Sequence, residues 1–422
     1  MVRLGKGKSH YSGWSVLREG FRGQEGWSPA WRDHDPKSRY DVVIIGGGGH
    51  GLATAYYLAR THGINRVAVL EKGWIGGGNT GRNTTIIRSN YFHPQSAALY
   101  DLSVSLYEGL SRELNYNIMF SQRGMIELAH SQADLEFMIR GANAMRVSGI
   151  DIEVLDRDAI LKLAPLLNKD LDVRWPVLGG LIQRRAGVAR HDAVAWGYAR
   201  AADSLGVHII QNCEVAGFDI SAGRLVAVET SRGRIVADRF GMAVAGHSSV
   251  LAGMAGFELP LQSYTLQAMV SEPVKPCLDL VVASGSHGAY VSQSDKGELV
   301  MGGGLDRCPS YAQRGNFPVT QSVVAPLVEM FPSFATLKLM RQWGGIVDTS
   351  HDNSPILGPS PVEGLFLNCG WGTGGFKAIP AGGTLFAHIL ATGAHHALSA
   401  PFDLRRFELG ALIDEAHAGV AH

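Results

Sequence analysis

Hydrophobic and polar positions along the chain predict alternating strands and helices. A β-branched apolar strand over residues 42–45 runs into a glycine-rich turn, and small and apolar residues at helical spacing follow it. A second apolar strand ends at residue 71, and helical spacing recurs over 96–115 and from Asp192 onward. A short strand is expected over 125–129. This order of elements predicts an α/β fold.

The second half of the chain is richer in predicted strands. Residues 215–238 have the pattern of a β-hairpin, and residues 260–345 read as several strands separated by Gly and Pro turns. Residues 365–391 then give a strand, a glycine loop and a helix. No internal repeat is visible, and 422 residues are enough for one large domain or two intertwined ones.

Charge and cysteine usage exclude several classes of function. Lys plus Arg and Asp plus Glu both number 38, which gives no support to a nucleic-acid or anionic-membrane partner. The four cysteines show no CxxC spacing, so they indicate reduced thiols and neither a disulfide framework nor a metal site. No signal-peptide core and no apolar run of about 20 residues is visible. We therefore expect a cytoplasmic protein.

The polar, Gly-rich segment 1–39 contains Trp14, Trp27 and Trp31 and lacks clear periodicity. Two interpretations are open, a loose arm or a segment that docks on another subunit through its tryptophans.

The strongest motif is a nucleotide-binding turn. Gly46, Gly48 and Gly51 form GxGxxG directly between the first strand and a helix, which is the context that the motif requires. The helix N-terminus then faces a pyrophosphate with its positive end. Glu71 lies 20 residues after the last glycine, where a ribose-binding acid is expected. The acid disfavours NADP, so FAD and NAD remain.

Three features favour FAD over NAD. The fingerprint occurs once and early in the chain. The stretch IGGGNTGRNTTIIRSNY follows the second strand, where a dehydrogenase would continue its sheet. The late GWGTGGFK loop offers further backbone amides to a flavin.

With these stretches, residues 40–410 resemble the D-amino-acid oxidase type of flavin amine oxidases, which includes glycine oxidase and dimethylglycine dehydrogenase. Within that family, SQRGMIELAH, ARHDAVAW and AGHSSVLAGMAGFELP resemble the beta subunits of heterotetrameric sarcosine oxidases. The resemblance implies a discontinuous, Rossmann-like FAD-binding domain and a substrate domain with a large mixed β-sheet. The expected parts are an N-terminal arm (1–39), the FAD-binding domain (40–125, 186–260 and 345–410), the substrate domain (126–185 and 261–344) and a C-terminal tail (411–422).

The resemblance also implies which residues contact each cofactor and substrate. For the carboxylate of a small amino acid such as sarcosine, Arg88 in TTIIRSNY and Lys377 in GTGGFK match the family's ligands, and no catalytic histidine is nominated. His50 in the phosphate loop is near the flavin by position, with a packing role equally open, and His247 is expected to be structural. The residues expected to bind FAD are Gly46, Gly48, Gly49, Gly51, Glu71, Lys72, Asn79, Arg82, Asn83, Thr84, Val215, Gly372, Gly374, Gly375 and Phe376.

A second flavin is implied by ARHDAVAW, because its His191 matches the histidine that carries covalent FMN in the heterotetrameric enzymes. In such enzymes FAD oxidises sarcosine, and FMN passes the electrons to O2 and so forms H2O2. The products are glycine and formaldehyde, or methylenetetrahydrofolate with tetrahydrofolate. Alpha, gamma and delta subunits complete the assembly, with NAD and zinc on partner subunits.

Two departures from the monomeric relatives are informative. No cysteine lies between Cys308 and Cys369, where those relatives tether FAD, so noncovalent FAD is expected. Asp306 stands near the position of their oxygen-activating lysine.

Two other functions stay open from the sequence. One is oxidation of dimethylglycine or a D-amino acid, and the other is a non-catalytic electron-transfer or scaffold subunit.

Overall fold

The computed structural model describes residues 12–27 and 29–413, except the side chain of Arg307. The α-helices are α1 (Gly13–Phe21), α2 (Gly49–His62), α3 (Pro94–Glu113), α4 (Gln132–Val147), α5 (Arg157–Leu163), α6 (His191–Ser204), α7 (Ser248–Met254), α8 (Phe317–Met330), α9 (Ile379–Thr392) and α10 (Arg406–Leu409). None of these helices combines the length and apolarity that a membrane crossing requires within the described part of the chain. The C-terminal tail expected from 411 lies outside the described residues from 414 onward.

The β-strands form two eight-stranded sheets and one small ribbon. They are β1 (Arg39–Ile45), β2 (Val67–Leu70), β3 (Ile86–Ile87), β4 (Met125–Ala129), β5 (Glu153–Asp156), β6 (Gly179–Gln183), β7 (Gly187–Val188), β8 (His208–Ile210), β9 (Val215–Ser221), β10 (Arg224–Thr230), β11 (Gly233–Met242), β12 (Leu261–Pro273), β13 (Val281–Ser284), β14 (Ala289–Gln293), β15 (Glu298–Pro309), β16 (Leu339–Ser350), β17 (Ile356–Pro359) and β18 (Leu365–Cys369).

The first sheet has the order β17-β18-β11-β1-β2-β8, and β10 and β9 extend from β11. Strands β18, β11, β1, β2 and β8 are parallel to one another. The edge strand β17 is antiparallel to β18. Side chains of β1 alternate between two cores, as a period of two requires. Val42 and Ile44 pack with α2, α6 and α9, whereas Val43 and Ile45 pack with β9–β11 and α7. Three helices therefore cover one face of the sheet, and strands β9–β11 with α7 cover the other.

The second sheet has the order β16-β12-β15-β14-β13-β4-β6-β5. It is mixed, because β13 runs parallel to β4 while the other pairs are antiparallel. Strand β16 runs through residues 344 and 345, where the sequence places a domain boundary, and it pairs with β12 on both sides of that point. In the small ribbon, β3 pairs antiparallel with β7.

The N-terminal arm contains a helix that its sequence did not reveal. Helix α1 begins after Ser12, whose side chain accepts a hydrogen bond from the Ser15 N–H at 3.1 Å. Trp14 and Trp27 are exposed, whereas Trp31 is partly buried and packs against the hydrophobic core that includes α2 and α6.

Candidate active site and a separate histidine

A cavity of about 630 Å³ lies at the carboxyl ends of β1 and β2, against one face of the second sheet. This is where ligands bind in open α/β sheets. The cavity is lined by fifteen of the residues that the sequence nominated: Gly46, Gly48, Gly49, Glu71, Lys72, Asn79, Arg82, Asn83, Thr84, Arg88, Val215, Gly372, Gly375, Phe376 and Lys377. Gly51, Gly374 and His191 do not line it.

The glycine turn is shaped by close contacts that exclude side chains. A Cβ at Gly46 would collide with the Ala243 carbonyl oxygen, and one at Gly51 with that of Gly46. Gly46 also has φ of 109°, which favours glycine. Gly51 therefore serves the close packing of turn and helix, and Gly48 faces the cavity as the N-cap of α2. A cradle of this form fits a pyrophosphate at the helix N-terminus.

Glu71 holds the turn in addition to facing the cavity. One carboxylate oxygen accepts the Gly47 N–H, and the other accepts the Gly73 N–H, both at 2.8 Å. A carboxylate has about four acceptor positions, so two remain for ribose hydroxyls. Because no side chain fits at Gly47 beside Glu71, the acid and the turn form one unit.

The segment after β2 wraps the middle of the cavity through its own hydrogen bonds. The Asn79 amide donates to the Ile346 carbonyl, and Arg82 donates to the Gly77 and Gly78 carbonyls. Asn83 accepts the Thr85 N–H at 2.6 Å. These side chains fix the wall of the cavity while they line it.

Two cations lie buried at one end of the cavity. Arg88 is 4% exposed and Lys377 is 7% exposed. Arg88 follows β3 and donates to the Asn90 side-chain oxygen at 2.8 Å, with its guanidinium over the Tyr91 ring. Lys377 Nζ donates to the Thr373 carbonyl at 3.0 Å. Burial, and then the charge of Arg88, hold the pKa of Lys377 well below its usual value.

Helix α3 supports the loop that carries Lys377. The Ser103 hydroxyl donates to the Lys377 carbonyl at 2.6 Å, and the Tyr107 hydroxyl donates to the Phe376 carbonyl at 2.7 Å. A Cβ at Gly374 would collide with the Tyr100 hydroxyl, which explains why this glycine packs outward from the cavity. The loop is thereby fixed from behind.

Tyr290, Asp348 and Trp371 are among the cavity residues that the sequence reasoning missed. Tyr290 on β14 bonds the Thr84 hydroxyl at 2.7 Å, and burial raises its pKa to about 12, so it remains a phenol at neutral pH. Asp348 on β16 accepts the Gly370 N–H at 2.5 Å, and burial raises its pKa to about 6. Trp371 stacks on His50. An acidic residue inside the apolar run GGIVDTS was the visible signal for Asp348.

The two histidines expected to be structural have different surroundings. His50 Nε2 donates to the Gly375 carbonyl at 2.8 Å, and burial lowers the pKa of His50 to about 4. His247 lies near Lys72 and Tyr311 and lines the cavity. Both histidines therefore border the cavity, and His50 in addition packs against Trp371.

Asp306 does not occupy the cavity position that the resemblance suggested. Its carboxylate accepts from the Asn316 amide at 2.9 Å, and the residue of β15 that lines the cavity is Gly303.

His191 lies outside the cavity, at the first position of α6. Its N-cap is Arg190, which makes no side-chain capping bond, and the Asp192 side chain accepts the Ala193 N–H. His191 Nδ1 is buried without a hydrogen-bond partner among the described residues. Burial lowers the pKa of His191, so the imidazole is neutral near pH 7. A neutral, unpartnered imidazole nitrogen fits covalent attachment to a flavin.

The arginines near His191 are already paired. Arg184 contacts Glu153, Arg190 contacts Asp192, and Arg185 contacts the carboxylates of Asp101 and Glu108. They are therefore poor candidates for phosphate ligands within this chain.

Main-chain pairing joins the segment before His191 to the cavity wall. Thr84 and Ile86 line the cavity, and β3, which begins at Ile86, pairs with β7 just before His191. The Ala189 N–H donates to the Thr85 carbonyl at 3.2 Å. Among the described residues, no group of three or more His, Cys, Asp or Glu could hold a metal ion.

Comparison with known proteins places this geometry in a family. Residues 41–389 match the family model of FAD dependent oxidoreductases. The chain is 54% identical to sarcosine oxidase subunit beta of Rhodobacter capsulatus, over 98% of this chain and 99% of that one. The Rhizobium meliloti subunit beta is also 54% identical, over 97% and 98%. The crystal structure of L-proline dehydrogenase from P. horikoshii superposes with a TM-score of 0.84 at 25% identity, over 89% and 100%. The predicted fold class is confirmed.

Proposed function

The chain belongs to the FAD-dependent oxidoreductases and, within them, to the sarcosine oxidase beta subunits, and from this premise we propose that it oxidises sarcosine at a noncovalently bound FAD. The products are glycine and formaldehyde, or methylenetetrahydrofolate where tetrahydrofolate is supplied. Four free cysteines fit a cytoplasmic enzyme.

The observation that carries the proposal is the buried cation pair at the end of the cavity. Arg88 and Lys377 are both buried, and the charge of Arg88 contributes to lowering the pKa of Lys377. Glu127 is within reach of the Arg88 charge, and burial raises the pKa of that acid. An anionic ligand bound between Arg88 and Lys377 would favour the charged form of the lysine, and a small amino acid supplies such a carboxylate.

The cavity residues then position the substrate. Arg88 and Lys377 hold the carboxylate, which directs the N-methyl group along the cavity and away from the cations. Tyr290 remains protonated and can donate a hydrogen bond from the Thr84 side of the cavity. Oxidation of a neutral amine by hydride loss needs no strong protein base, so the proposal assigns no histidine a catalytic role.

The glycine turn and Glu71 would hold the pyrophosphate and ribose of FAD, and residues 79–84 with loop 372–376 would hold its flavin. When bound, FAD supplies a two-electron acceptor for the substrate C–H bond. Strand β16 reaches the cavity through Gly345–Asp348 without a cysteine. This supports noncovalent binding.

His191 would carry FMN covalently as the second flavin, the site of O2 reduction to H2O2. The pairing of β7, just before His191, with β3 at the cavity wall supports short-range electron transfer. Attached at the surface end of α6, the FMN would need another subunit to enclose it. We propose that alpha, gamma and delta subunits complete the enzyme, as the resemblance implies.

The test is an anaerobic substrate panel on the FAD-loaded complex. Sarcosine should bleach the FAD absorbance at far lower concentration than dimethylglycine or D-alanine. Arg88→Met should raise the sarcosine concentration required by roughly ten- to a hundredfold, the loss of one charge-assisted contact of about 1.5–3 kcal/mol.

Two results of this panel would contradict the proposal. Preferential bleaching by dimethylglycine or a D-amino acid would reassign the substrate. Unchanged turnover in Arg88→Met would indicate a non-catalytic electron-transfer or scaffold subunit.

A further inference from the structure

A small N-methyl amino acid brings a proton into the cavity that has to leave before oxidation. Alkyl amines are protonated in neutral water, so such a substrate arrives as a zwitterion. A hydride can leave the methyl carbon only when the nitrogen has a free electron pair with which to form the iminium product. A proton acceptor is therefore needed beside the bound amine.

Lys377 has the surroundings of such an acceptor. Its side chain is 7% exposed and lines the cavity. An ammonium has three N–H donors, whereas the described residues offer Lys377 Nζ one acceptor, the Thr373 carbonyl at 3.0 Å. Burial, and then the charge of Arg88, lower the pKa of Lys377 well below its usual value. Both effects favour the neutral amine until a carboxylate binds.

The ring side chains around this end of the cavity are weaker candidates. Burial raises the pKa of Tyr290 to about 12 and holds the pKa of Tyr107 well above its usual range, so both remain phenols. Burial lowers the pKa of His50 to about 4, and its Nε2 already donates to the Gly375 carbonyl. Neither the phenols nor this imidazole is a strong enough base to hold an ammonium proton at neutral pH.

We propose that Lys377 accepts the proton of the substrate ammonium while Arg88 holds the substrate carboxylate. The inference rests on the proposed function, in which a sarcosine-like amino acid binds at these two residues. In such an amino acid a single carbon separates the nitrogen from the carboxylate. A side chain that contacts the carboxylate therefore also lies next to the amine.

The proton transfer conserves charge within the site. One N–H bond breaks on the substrate nitrogen and one forms on Lys377 Nζ. A zwitterion beside a neutral lysine thereby becomes a neutral amine whose carboxylate lies between two cations, and this pairing stabilises the charged lysine. The methyl carbon then loses a hydride to FAD, the acceptor that the proposed function supplies, and the nitrogen electron pair forms the C=N bond. Lys377 returns its proton to water when the product leaves.

The experiment compares the FAD-loaded wild-type complex with Lys377→Arg and Lys377→Met. Arginine keeps a cation for the carboxylate but does not deprotonate in proteins, and methionine keeps an unbranched chain without charge. The limiting rate of anaerobic FAD reduction by saturating sarcosine is measured against pH. Above the lowered pKa of Lys377, the wild-type rate should not change with pH. In both variants the rate should be roughly a hundredfold lower at neutral pH and rise about tenfold per pH unit, because the proton must leave to water.

A second readout is independent of turnover. Methoxyacetate has the shape of sarcosine with an ether oxygen in place of the amine, so it brings a carboxylate and no proton. Calorimetric titration in two buffers of different ionisation enthalpy gives the number of protons taken up on binding. Above the lowered pKa of Lys377, the wild type should take up about one proton per methoxyacetate, and Lys377→Arg should take up none.

The outcomes separate this proposal from the proposed function. Glu127 and Asp348 remain in both variants, and burial raises the pKa of each. Proton uptake in Lys377→Arg equal to that of the wild type would assign the proton to one of these acids and overturn the role of Lys377. A wild type that takes up no proton, or variants that keep its limiting rate and pH profile, would also overturn that role and leave the proposed function intact. Wild-type FAD that sarcosine does not reduce at any pH would overturn the proposed function itself.

Discussion

Gly48 is the position in the glycine turn where a side chain should weaken the binding of FAD while leaving the fold intact. A Cβ there would meet the Thr80 hydroxyl oxygen at 3.3 Å, a contact that a small shift relieves. Its φ of −79° and ψ of 178° are open to any residue. At Gly46 and Gly51, by contrast, the obstacle is backbone, so substitution there would damage the turn itself.

The magnitude follows from what the new side chain displaces. Gly48 is the N-cap of α2 and faces the cavity, where a pyrophosphate would approach the backbone. Gly48→Val should remove at least one charge-assisted hydrogen bond, worth about 1.5–3 kcal/mol. The dissociation constant of FAD should therefore rise roughly ten- to a hundredfold. Stripped protein titrated with FAD, followed by flavin fluorescence, measures this change.

The control is Gly109→Val on the exposed face of α3, where a Cβ would meet nothing within 4 Å. Its FAD affinity should equal that of the wild type. The melting temperature of both apoproteins should stay close to that of wild-type apoprotein. Wild-type FAD affinity in Gly48→Val would refute the assignment of the turn, and an unfolded Gly48→Val apoprotein would refute the account of the space around it.

Three further predictions concern other groups. Burial and the charge of Arg88 lower the pKa of Lys377, so the affinity for a carboxylate inhibitor should fall as pH rises through that lowered pKa. Inhibitor titrations at several pH values should show this dependence in the wild type and not in Lys377→Met. Arg406→Leu should cost about 3–5 kcal/mol in denaturant unfolding, since it strips buried Asp352 of its two-bond partner; a loss below about 1 kcal/mol would contradict this. Thr85→Asn should raise the unfolding free energy by about 1 kcal/mol, because asparagine accepts the φ of 69° at Thr85, whereas β-branched Thr85→Val should not.

The parts of the site that the sequence could predict are those made by neighbouring residues. The glycine turn, its helix and Glu71 follow from a strand–turn–helix–strand unit whose contacts are short in sequence. Helix α3 was expected over 96–115 and spans Pro94–Glu113, because proline is favourable in the first helical turn.

The parts that the sequence could not predict depend on distant pairing. Tyr290 and Asp348 reach the cavity from strands of the second sheet, whose registers no local pattern determines. Helix α1 was missed for another reason, because two turns are too few for a periodic signal among glycines.

The proposal that sarcosine is oxidised at the cavity and that His191 carries the second flavin is tested most directly by anaerobic titration of the purified complex with sarcosine. The wild-type complex should show two reduced flavins, and acid digestion should yield a flavin peptide spanning His191. His191→Asn should lose that peptide and O2 consumption while its FAD is still reduced by sarcosine. Flavin that remains covalently attached in His191→Asn, or wild-type FAD that sarcosine does not reduce, would contradict the account.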